Sequence, residues 1–136
     1  MTRIACGFLV VAGLAAFVSQ APAHGVFKNA LQEKYEFKSV SCNACHVKGE
    51  PKTERNDFGK AFQDGIDALS YDGMGMTAAY EAAKDKGDAE KAAFEEVMKE
   101  AFLEVLKEVE TKESPSGDTW GDLLQAGSID GIKKEE

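Results

Sequence analysis

The chain has 136 residues, a length for one domain, and its 24 acidic and 16 basic residues give a net charge of −8. That balance speaks against nucleic-acid binding, because phosphate affinity needs clustered Lys and Arg. It permits steering toward a basic protein partner, or solubility alone.

Residues 1–23 read as a secretory signal. Arg3 supplies the positive start, Ile4 to Val18 is an uncharged apolar run, and Ala21-Pro22-Ala23 places small residues where cleavage is expected. The run is shorter than the ~20 residues a membrane-spanning helix needs. Cys6 lies at the start of that run, which is badly placed for a lipoprotein site. The expected mature chain, 24–136, loses one Arg and keeps 15 basic and 24 acidic residues, a charge of −9. A periplasmic or secreted location follows, with no stable membrane anchor after cleavage. The alternative is an uncleaved anchor.

Val26, Phe27, Leu31 and Tyr35 lie at helical spacing and predict a helix within 26–40, although Phe37 and Val40 fit its face less well. Cys42 to His46 follow. Residues 47–55, with Gly49, Pro51 and many charges, read as a loop. Asn56 or Asp57 caps a second helix that buries Phe58, Phe62, Ile66 and Leu69. Residues 70–76 read as a flexible loop. Thr77 starts a short Ala-rich helix ending near Gly87. Asp88 opens the longest helix, to about Glu113, with Phe94, Val97, Met98, Ala101, Phe102, Val105 and Val109 on one face. Ser114-Pro115-Ser116-Gly117 stops it. A last helix starts at Asp118 or Thr119, runs through Trp120, Leu123 and Leu124, and closes at Gly127. The tail 128–136 reads as polar and frayed. With no convincing strand pattern, the fold class is all-α.

Cys42-Asn43-Ala44-Cys45-His46 is the C-x-x-C-H pattern of covalent haem attachment. On a helical turn, positions i, i+3 and i+4 share a face. Two thiols can then bond the vinyl groups of a haem while the imidazole reaches its iron. Other readings of the motif are a thioredoxin-like dithiol, which calls for a βαβ context that is not present, and a zinc site, which calls for a fourth ligand. The second His, His24, lies eighteen residues upstream of Cys42. It would become the mature N-terminus, where it reaches the iron or copper, or simply follows the cleavage site.

The motif, the helix before it and the Asn56-x-Phe58-Gly59-x-x-Phe62 segment after it resemble the cytochrome c family over about residues 26–76. The resemblance implies a small cytochrome c-like helical bundle around one covalently bound haem c, spanning 24–127. Cys42 and Cys45 would be the thioether attachment points and His46 the proximal iron ligand. Members of the family that transfer electrons usually supply a sixth ligand from a downstream Met. Met74 and Met76 stand 28 and 30 residues after His46, next to Gly73 and Gly75, which let the backbone approach closely, although no Pro follows either. Met98 reads as helix core. Phe58, Phe62, Phe94 and Trp120 are candidates to wall the haem, or plain core. Asp118, Asp122 and Asp130 do not meet EF-hand spacing and read as capping and solvation.

The function these residues predict is electron transfer to a redox partner protein by a monomeric, non-enzymatic carrier. One alternative is an open-coordination haem that binds a gas or reacts with peroxide, motivated by the lack of a clear sixth-ligand motif. Another is a haem subunit of a larger redox complex, docked through the helix 88–113.

Overall fold

The computed structural model describes residues 24–135, so the expected signal segment 1–23 lies outside the described residues. The first helix, α1, is His24–Tyr35. It stops because Glu36 takes a left-handed conformation, φ 54°. Phe37 N–H then donates to Gln32 and Glu36 N–H to Glu33, the paired bonds of a Schellman end. The helix is therefore shorter than the apolar spacing implies. Val40 belongs instead to a short strand, β1, Ser39–Val40.

A 3-10 turn, Cys42–Ala44, leads through a loop to α2, Asp57–Asp67, capped by Asn56. The expected flexible loop is a hairpin. Strands β2, Ser70–Tyr71, and β3, Met74–Gly75, pair across Asp72 and Gly73, both at positive φ (49° and 75°). An Asp-Gly pair is the sequence that suits this tight turn. Met76 is not in a loop: it opens α3, Met76–Lys86, and is buried. Helix α4, Asp88–Glu110, is followed by α5, Trp120–Ala126, capped by Thr119 and ended by left-handed Gly127.

The tail differs most from expectation. Ile129 and Ile132 are buried, and β4, Ile132–Lys133, pairs antiparallel with β1 in the register Val40↔Ile132. Two isoleucines amid polar residues make no helical stripe, but alternate burial on a short strand needs only one apolar face.

The fold is mostly helical, with two small two-stranded ribbons. Helix α4 packs against α1, α2, α3 and α5. Aromatic rings connect these layers. Phe102 of α4 stacks on Phe27 of α1 at 4.7 Å and on Phe62 of α2 at 4.9 Å between ring centroids. Phe62 meets Phe58, and Phe58 meets Trp120 of α5. Such pairs add ~0.5–1.5 kcal/mol each beyond area burial. A second cluster, including Met76, Tyr80, Phe94 and Met98, joins α3 to α4. Among the described residues, no helix is long and apolar enough to cross a membrane.

Candidate functional site

The Cys42–His46 segment is a tight helical turn. Cys45 N–H and His46 N–H both donate to the Cys42 carbonyl, at 3.2 and 3.0 Å. That closure orients Cys42, Cys45 and His46 toward one cleft, which all three line.

Asn56 fixes the turn to α2. Its Nδ2 donates to the carbonyls of Asn43 (2.9 Å) and Ala44 (3.0 Å), and its Oδ1 accepts from Gly59 N–H (2.8 Å). One side chain thus caps the helix and holds the motif. Gly59 is needed because the Cys45 carbonyl lies against it: an added Cβ would sit 2.0 Å from that oxygen. The Asn-x-Phe-Gly segment is therefore a clamp on the turn, with Phe58 turned into the core.

His46 is buried, and a bridge to Arg55 closes the intervening loop. Burial lowers its pKa first, then the nearby Arg55 guanidinium; a backbone hydrogen bond to Glu54 opposes these, and Lys52 adds to the lowering. This lowering favours the neutral ring, the form that offers a lone pair to a metal. Cys42 is exposed and Cys45 half-buried. Burial pushes the Cys45 thiol up to about 11, against Arg55, which lowers it, while Cys42 adds a smaller rise. At neutral pH the buried Cys45 sulfur therefore keeps its proton.

The cleft has a cavity volume of about 130 Å³ and opens to solvent, with about 940 Å³ of empty space when the solvent at its mouth is included. Its apolar walls are Phe27 and Leu31 of α1, Phe62 and Ile66 of α2, and Phe102 of α4. Two thioethers also reach it, those of Met76 and Met98. Met98 is 1% exposed, so it serves core and cleft together. Met74 is elsewhere: it is 41% exposed on β3 and lines a separate groove with Tyr71 and Phe94. Lys28, Arg55, Asp67 and Thr77 give the cleft a polar margin.

Of the four aromatic residues that read as either haem wall or plain core, Phe62 alone lines the cleft and the others pack in the core. Phe58 and Trp120 pack on each other, and Phe94 packs with Tyr71 and Tyr80. Phe27 and Phe102 take the expected places; their helical spacing marked them as buried without showing what they face. The His24 side chain lies outside the described residues. Asp122 serves the start of α5, where its N–H donates to Thr119 Oγ1, and Asp118 accepts from Ser116. Among the described residues, no group of three or more His, Cys, Asp and Glu side chains is placed to hold a metal ion. A porphyrin iron, however, takes four of its ligands from the macrocycle, and one imidazole with one thioether completes such a set.

No family model matches the chain, and neither the curated proteins nor the solved structures contain a match to it.

Proposed function

We propose that the chain is an exported monohaem c-type cytochrome that carries electrons, with haem c attached through Cys42 and Cys45 and His46 as the proximal ligand. The observation that carries this reading is the cleft in which both cysteines and the buried His46 meet two methionine thioethers among aromatic walls. When bound there, a haem supplies an iron that gains or loses one electron.

The chain's own residues do the rest. Cys42 and Cys45 tether from the turn. His46 presents a neutral imidazole whose backbone is held by the loop closure at Arg55. Met76 presents a thioether from the start of α3, and a His/Met pair favours a high potential. Phe27, Phe62 and Phe102 exclude water, which limits the rearrangement accompanying a change of charge. Export, cleavage after Ala23, action as a monomer and exchange with a redox partner protein complete the proposal.

The test is expression of the full chain with a haem-attachment system. Intact mass is expected to report residues 24–136 plus one haem. The oxidised protein is expected to be low-spin with a sulfur-to-iron charge-transfer band. That band disappears in Met76→Ala and persists in Met74→Ala. Loss in Met98→Ala alone moves the ligand to α4. High-spin iron that binds carbon monoxide rapidly replaces the carrier with an open-coordination haem protein. Colourless protein with both thiols free, or joined to each other, overturns the reading.

A further inference from the structure

The turn that bears Cys42 and Cys45 is gripped from a second side, by the end of the chain. Strand β4 pairs with β1 immediately before the motif, in the registers Ser39↔Lys133 and Val40↔Ile132. This pairing brings Gly131 under the turn. Ser41 N–H donates to the Gly131 carbonyl at 2.8 Å. A Cβ on Gly131 would lie 2.5 Å from Ser41 Oγ, 2.7 Å from the Ala44 nitrogen and 3.0 Å from the Asn43 carbonyl carbon. Its φ of +78° also favours glycine. Two of these three atoms are backbone, so a side chain here must displace the turn itself. Gly131 thus faces residues 41–44 while Asn56 holds the carbonyls of residues 43 and 44.

We propose that Gly131 is a positioning residue for the Cys42–His46 turn, and that residues 128–133 complete the haem-attachment site. This rests on the haem reading for its function. The geometry of the thiols depends on the strand pairing alone. A nascent chain would then present its two thiols correctly only after residues 131–133 have joined β1. Haem attachment would follow folding of the whole domain.

The experiment compares Gly131→Ala with Leu124→Ala in the full chain. Leu124 is fully buried in α5, so its truncation lowers global stability. The first readout needs no haem: the rate of iodoacetamide labelling of each thiol in the reduced, haem-free native protein. In the unaltered protein, exposed Cys42 is expected to label quickly and half-buried Cys45 slowly. In Gly131→Ala, Cys45 labelling is expected to rise at least about tenfold beyond what its denaturant midpoint accounts for, as local opening does. In Leu124→Ala, labelling is expected to follow the midpoint. If Gly131→Ala fails to fold, Ile132→Ala carries the same comparison, because it loosens β4 without strain at residue 131.

The second readout is the fraction of chains that acquire a haem mass, expected to fall in Gly131→Ala more than in Leu124→Ala. Labelling that tracks global stability equally in all variants would overturn the positioning role. The expected labelling pattern in a chain that never takes up haem would keep that role and remove the haem reading alone.

Discussion

The carbonyl oxygen of Cys45 occupies the space where Gly59 lacks a side chain, with 2.0 Å between that oxygen and the position a Cβ would take. The contact explains why glycine sits in the first turn of α2, where its flexibility is otherwise a cost. It joins the Cys42–His46 turn to the helix that also provides the Phe62 wall of the cleft.

Gly59→Ala is therefore expected to destabilise the protein by about 3 kcal/mol, at the upper end for overpacking, because the atom it meets is backbone. A helical Gly→Ala change without such a neighbour gains up to ~1 kcal/mol. Gly25 in α1 has nothing within 4 Å of its added Cβ and is the control. Urea midpoints of the two variants are expected to move in opposite directions.

Asn56 has two separable duties. Asn56→Ala removes the cap and both carbonyl contacts, with the cap alone worth ~1 kcal/mol. Asn56→Asp keeps an acceptor for Gly59 N–H but points a second oxygen at the Asn43 and Ala44 carbonyls. Hydrogen exchange is expected to show the Gly59 amide protected in the Asp variant and exposed in the Ala variant. Equal protection in both would show that the side chain does not cap α2.

Phe102 stacks on rings from two other helices and borders the cleft. Phe102→Ala is expected to cost ~3–5 kcal/mol, as for truncation of a buried aromatic. Differential scanning calorimetry should show a large fall in Tm. A shift within error would mean that α1, α2 and α4 do not share this contact in solution.

Tyr35 gives the alkaline limit. Burial, then its hydrogen bond to Glu110 and the Glu110 charge, raise its pKa well above the ordinary value of about 10. The folded state thus holds a proton that the unfolded chain releases. Its contribution is complete below about pH 10 and is lost as pH rises above it. Between pH 9 and 11.5, urea midpoints of the unaltered protein are expected to fall more steeply than those of Tyr35→Phe. Parallel curves would show that Tyr35 is not held by Glu110.

Each of helices α2 and α5 is capped by one of the two residues its sequence offers, Asn56 rather than Asp57 and Thr119 rather than Asp118, and both caps are contacts across three positions. The Cys42–His46 turn is legible for the same reason. The Asp-Gly hairpin was also local, but the glycines and methionines around it read equally well as a loop.

Other features depended on packing between distant segments. Met76 reaches the cleft and Met74 does not, because one opens a helix and the other sits on an exposed ribbon. Phe27 and Phe102 become walls only when α1 crosses α4. The tail becomes β4 only because β1 offers it unpaired backbone groups. Local spacing fixes which residues of a segment share a face, since backbone geometry repeats every few positions. What that face meets, and hence the cleft and the contact of Gly131 with residues 41–44, is set by contacts between remote parts of the chain, which no periodicity encodes.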